Sequence, residues 1–136
     1  MQENKNILQY FIEGFTKNYV NFKGRARRKE YWGFTLFSIL SFILVMSVAD
    51  YAPENIGHII RLSMLAFFLP GLAVANRRMH DIGKSGTTVL VYFIPVIGVI
   101  WLLVLLTTSS QKHANKYGPD PKNPSPESEL DLIGTE

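Results

Sequence analysis

Apolar positions in this chain gather into three long runs, and the charged positions lie between and around them. A soluble fold instead interleaves polar and apolar residues at the period of a half-buried helix or strand. The first run, Gly33–Ala49, has 17 residues and no charge, with Tyr31-Trp32 at its entrance. A helix rises ~1.5 Å per residue, so a hydrocarbon core of ~30 Å needs roughly 20 residues. Tyr31, Trp32 and the Asp50-Tyr51 end supply that length, and aromatic residues at both ends suit the membrane interface. The second run, Ile56–Ala75, carries one charge, Arg61, near one end, where a long side chain can snorkel to the head groups. The third, Thr87–Thr108, has 22 residues without a charge. The pattern predicts an all-α membrane protein with three transmembrane helices over about 31–51, 56–76 and 87–108. These form a single polytopic domain, 1–122.

The runs carry their own irregularities. Pro70-Gly71 in the second would break a soluble helix and is tolerated in a bundle as a kink. Gly71 and Ala75 form a small-xxx-small pair that lets another helix approach. Pro95 and Gly98 divide the third run, which reads as one kinked span, the alternative being a re-entrant turn whose halves are each too short to cross. Ser47-Val48-Ala49 resembles a signal-cleavage site. However, 32 patterned residues come before the run, so it is read as a span.

Charge sets the expected orientation. Met1–Trp32 holds seven Lys/Arg and three Glu, and the loop 76–86 holds Arg77, Arg78 and Lys84. Short basic loops stay in the cytoplasm, so the N-terminus is expected inside. Three spans then put the C-terminal tail outside, against the weak pull of its three lysines; a re-entrant third segment would return it to the inside. The stretch 123–136 is acidic and poor in core residues, and is expected to be disordered. With no cysteine, disulfides and thiolate chemistry are excluded.

The segments outside the runs carry the candidate chemistry. Ile7, Leu8, Phe11, Ile12, Phe15 and Tyr19 recur at helical spacing, which predicts an N-terminal amphipathic helix at the interface or packed on the protein itself. Five of the seven residues Lys23–Lys29 are basic. Antiparallel first and second spans would bring Arg25, Arg28 and Glu30 beside Arg77 and Arg78, with Glu30 a natural partner for either arginine. His80-Asp81 is a conceivable acid/base pair, although adjacent residues need not face each other. Gly83-Lys84-Ser85 ends like a phosphate-binding loop, but that motif needs glycine where Arg78 stands. No spaced ligand set suggests a metal, no cofactor is implied, and no motif supports nucleic-acid binding.

Four blocks together resemble a known family. They are Gly24-Arg25-x-x-Arg28-x-Glu30-Tyr31-Trp32; Leu69-Pro70 with Ala73-Val74; Arg77-Arg78-x-His80-Asp81-x-Gly83-x-Ser85-Gly86; and Asn115-x-Tyr117-Gly118-Pro119-Asp120-Pro121. In this order and spacing, over about Tyr19–Pro121, the chain resembles the DUF805 family of bacterial inner-membrane proteins, and within it the YhaH-like members. Thr87-Thr88 stands where members commonly have two Trp, and Ser109–Ala114 departs from a stretch often holding Gly and Pro. The resemblance implies a polytopic inner-membrane protein and no particular activity. The expected function is therefore non-enzymatic binding of anionic lipid or a protein partner, alone or as a homo-oligomer, through Arg25, Arg28, Glu30, Arg77, Arg78, His80 and Asp81. Tyr31 and Trp32 are the expected interface anchors. A transporter or channel subunit, and a head-group enzyme using Glu30, His80 and Asp81, are the alternatives.

Overall fold

The computed structural model describes residues 5–123, and within them every regular element is helical. The expected disordered tail falls, but for residue 123, outside the described residues. The chain runs through α1 (Ile7–Phe15), α2 (Arg28–Tyr51), α3 (Glu54–Leu62), a 3₁₀ segment Ser63–Phe67, α4 (Phe68–Asp81), a second 3₁₀ segment Gly86–Phe93 and α5 (Ile97–Thr107). Two rods are long and apolar enough to cross a membrane. One is α2, with 24 residues, and the other is the continuous 28-residue helix Glu54–Asp81.

These rods are joined by the short Ala52-Pro53 turn and lie antiparallel. Gly57 permits their close approach, because a Cβ there would sit 2.8 Å from the Ala49 carbonyl oxygen. Arg61 Nη2 donates to Asp50 Oδ1 at 2.6 Å across the same end. The second rod tightens to 3₁₀ geometry just before Pro70. Proline has no N–H to give the carbonyl four residues back, which here is that of Ala66. The Tyr19 hydroxyl supplies the missing donor at 2.8 Å.

Helix α1 begins after Asn6, whose N–H donates to Gln9 Oε1 at 2.7 Å, and stops at Phe15, short of the predicted end at Tyr19. Phe11 and Phe15 pack on Phe34, and Phe15 also meets Phe67 edge-on at 4.7 Å between ring centroids. Gly14 lies under the Phe34 ring, where a Cβ would clash at 2.6 Å. The helix is thus packed on the rods through one face, while Ile7, Leu8 and Ile12 stay exposed.

The third apolar run is not the single kinked span that its length suggested. The 3₁₀ arm of eight residues, at ~2.0 Å per residue, reaches ~16 Å. The 11 residues of α5, at ~1.5 Å each, reach about as far. Neither arm crosses a core of ~30 Å, and the two fold back on each other. A Cβ on Gly98 would overlap the Val91 carbonyl oxygen, and Val96 turns the chain at φ 61°. Both ends of this hairpin meet the same end of the rods. Gly86 abuts the Asn76 amide, and Leu105 and Leu106 pack with Met79 and Ile82.

Burial is inverted relative to a water-soluble protein. Arg78 and Asp81 have 0% exposure, whereas Leu44 is 65% exposed and Ile59 68%. Apolar side chains on the outside and charges on the inside suit a chain whose solvent is hydrocarbon.

Candidate polar site at one end of the helix pair

Where α2 begins and α4 ends, the sequence concentrates charge, and the fold buries it. Asp81, in the last turn of α4, is shared by two arginines. Arg25 Nε donates to its Oδ1 at 3.1 Å, and Arg78 Nη1, one turn back on the same helix, donates to Oδ2. Two guanidinium groups against one carboxylate leave an excess positive charge, which backbone carbonyls take up. Arg25 Nη1 donates to the His113 and Gly118 oxygens at 2.8 and 3.4 Å. Its Nη2 donates to Gln111 O at 2.5 Å and to Asp81 O at 3.4 Å, so every donor of this group is engaged. Arg78 Nε donates to Leu106 O at 3.1 Å, and its Nη2 to Thr108 O.

The second pair is Arg77 Nη1 with Glu30 Oε1, at 2.5 Å, joining α4 to α2. Beside it, Ala26 N–H donates to Arg77 O at 3.0 Å. His80 faces another way. Its Nδ1 lies 3.1 Å from Gly24 O, an arrangement that places the proton on Nδ1 and leaves Nε2 to accept from Asn76 Nδ2 at 3.3 Å. The imidazole stacks on Tyr117 at 3.8 Å with planes 3° apart, and Asn115 Nδ2 donates to His80 O at 3.0 Å.

The predicted residues therefore divide. Arg25, Glu30, Arg77, Arg78, His80 and Asp81 come together and are turned inward. Glu30 takes Arg77 rather than Arg78. His80 and Asp81 engage different partners and do not form a pair. Arg28 remains exposed, its Nη1 reaching Thr107 O at 3.3 Å. Of the two expected anchors, Tyr31 packs against both buried clusters and Trp32 is 38% exposed. The carbonyls of Leu106, Thr108, Gln111 and His113, which accept from the two arginines, carry no side-chain mark in the sequence. The signal lay in the Asn115–Asp120 block: Gly118 stands at φ 136°, and Asn115 Oδ1 caps the Tyr117 N–H at 2.9 Å.

Chemically the arrangement is a clamp. It fixes the segment before α2, both rods, the end of the hairpin and the tail to one another. Among the described residues no group of three or more His, Asp or Glu is placed to hold a metal ion.

Residues 19–119, which span this clamp and both rods, match the family described as protein of unknown function, DUF805. The chain belongs to the DUF805 family. Among its relatives are two inner membrane proteins of Escherichia coli K12. YhaI is 44% identical over 115 residues, covering 85% of this chain and 97% of YhaI. YhaH is 39% identical over 111 residues, covering 78% of this chain and 91% of YhaH. No solved structure matches the chain. The DUF805 match begins at Tyr19, the residue that satisfies the Ala66 carbonyl, and ends at Pro119, just past the carbonyls that bind Arg25.

Proposed function

We propose that this protein is a non-enzymatic component of the bacterial inner membrane whose polar end faces the cytoplasm and binds anionic lipid head groups. The folded-back third run carries this reading. It brings the exposed Lys112 and Lys116 to the same end as the exposed Lys23, Arg28 and Lys84. Under three full spans, the tail lysines would oppose the others across the bilayer. With the hairpin, the basic loops and the tail share one side, in keeping with the positive-inside rule. Each such cation near an anionic leaflet contributes about 1 kcal/mol.

The opposite end differs. It carries Asp50 and Glu54, with Arg61 held by Asp50. The head-group contacts then belong to the exposed rim, with Arg28 retained from the predicted set. Arg25, Glu30, Arg77, Arg78, His80 and Asp81 frame that rim from within.

Paired reporter fusions after Pro121 test the orientation, and a cytoplasm-active fusion is expected. The lipid assignment is tested by Lys23→Glu, Lys84→Glu and Lys112→Glu together, measured as the enrichment of phosphatidylglycerol in co-purified lipid over the bilayer composition. Loss of enrichment supports the reading. An unchanged enrichment removes lipid as the ligand and moves the rim to an acidic protein partner.

A further inference from the structure

A cavity of about 330 Å³ runs along the seam between α2 and the second rod. Its α2 wall extends from Tyr31 to Phe42, roughly 16 Å at ~1.5 Å per residue. The wall changes character along that length. Tyr31, Thr35 and Ser38 place hydroxyl groups on the half nearest the polar end, and the Ser38 hydroxyl is buried without a partner among the described residues. The deeper half is closed by Phe42, Met64 and Phe67. Arg28, exposed and one helical turn before Tyr31, lies just beyond this lining on α2, with its Nη1 reaching Thr107 O at 3.3 Å. Gly71 lines the opposite wall, and a Cβ added there would meet nothing within 4 Å.

We propose that this seam is an acyl-chain site that holds one chain of a membrane phospholipid, with the head group at Arg28. The proposal rests on the lipid-binding reading above and deepens it. A phospholipid presents a charged group, then ester oxygens, then hydrocarbon, along the bilayer normal. The seam presents a cation, then hydroxyl groups, then aromatic and thioether side chains, in the same order and parallel to the rods. A helix from a second copy would bring its own Ser and Thr hydroxyls to the same half, and the test separates that occupant from lipid.

The test uses the full chain in non-ionic detergent, titrated with 1-palmitoyl-2-oleoyl-phosphatidylglycerol and read by native mass spectrometry. The wild type is expected to take up one lipid at low ratio. Gly71→Leu, whose Cβ would meet nothing within 4 Å, is expected to weaken that uptake about tenfold, or about 1.4 kcal/mol, with the unfolding midpoint unchanged. Ser38→Leu fills the seam from the other wall and gives the same result, so poor folding of one variant leaves the other to decide. Arg28→Gln is expected to erase the preference for phosphatidylglycerol over phosphatidylethanolamine while uptake persists. Uptake that is sensitive to Gly71→Leu but never selective for the anionic lipid would keep the seam and discard the anionic rim. Equal uptake in wild type and both filled variants would overturn the proposal. So would a shift from dimer to monomer in Gly71→Leu with lipid uptake unchanged, which would make the seam a contact between copies.

Discussion

The two ends of the helix pair use the same chemistry for opposite purposes. At the turn end, Arg61 and Asp50 form one ion pair at 2.6 Å with side-chain exposures of 38% and 69%. At the polar end, Arg25, Arg78 and Asp81 form theirs at 0–1% exposure. An exposed pair contributes at most about 1 kcal/mol, because water already solvates both partners. A buried set is costly to assemble and costlier to break, because removing one partner strands a desolvated charge. The turn end is therefore held by its short covalent link and the Gly57 approach. The polar end, where five separate segments must meet, is joined by buried charge beside the apolar cluster of Met79, Ile82, Leu105 and Leu106.

Asp81→Asn is the sharpest way to break that comparison. It keeps the shape and removes the only carboxylate that, among the described residues, pairs with Arg25 and Arg78. The expected loss is about 3–5 kcal/mol, seen as a lowered unfolding midpoint in detergent and as protease access to the tail beyond Thr108. A loss under about 1 kcal/mol would mean that the carbonyls alone hold both guanidinium groups.

Gly98→Ala tests whether the hairpin is needed to complete the polar end. A Cβ there runs into the Val91 carbonyl oxygen, a backbone atom with no rotamer to yield. Overpacking of this kind costs typically about 1–3 kcal/mol. The two arms are expected to separate, which should weaken the packing of Leu105 and Leu106 on Met79. Cross-linking between cysteines placed in the two arms should fall, while that between α2 and α4 should not.

Much of this was legible in the chain. Run length and the near-absence of charge predicted both rods, and the spacing over Ile7–Tyr19 predicted α1, which ends at Phe15. Two antiparallel spans placed Glu30 beside Arg77 and Arg78, and the structure pairs it with Arg77. The third run misled because hydropathy reports only that a segment prefers hydrocarbon, and two half-length arms satisfy that as well as one rod. Pro95 and Gly98 marked the break, but whether a chain bends or reverses there depends on Gly98 meeting Val91, a contact between arms that hydropathy does not register. The basic residues misled for a related reason. Lys23, Arg25 and Arg28 look alike in sequence, and only the returning tail, with its carbonyls at Gln111 and His113, decides that Arg25 turns inward.

Tyr19→Phe probes the joint between α1 and the second rod. It removes the donor that covers the Ala66 carbonyl, which Pro70 leaves without a helical partner. A single neutral hydrogen bond is worth about 1 kcal/mol net. The expected result is a loss of that order, which should vanish when Tyr19→Phe is made in a Pro70→Ala background, because residue 70 would there supply its own N–H to the same oxygen. A loss that persists in that background would assign the role of Tyr19 to packing against Phe15, whose ring lies 6.2 Å away.

The smallest effect is expected at the turn end. Asp50→Asn removes the partner of Arg61, yet both groups reach water and Arg61 can rehydrate in place. The predicted loss is under about 1 kcal/mol and should shrink further as salt is raised toward about 1 M, where the screening length falls to about 3 Å. The Asp81→Asn loss should hardly change over the same range, since a pair at 0% side-chain exposure is beyond the reach of ions. If the two losses instead converge with salt, water must enter the polar end, and the charges there would be solvated in the way those at the turn end are.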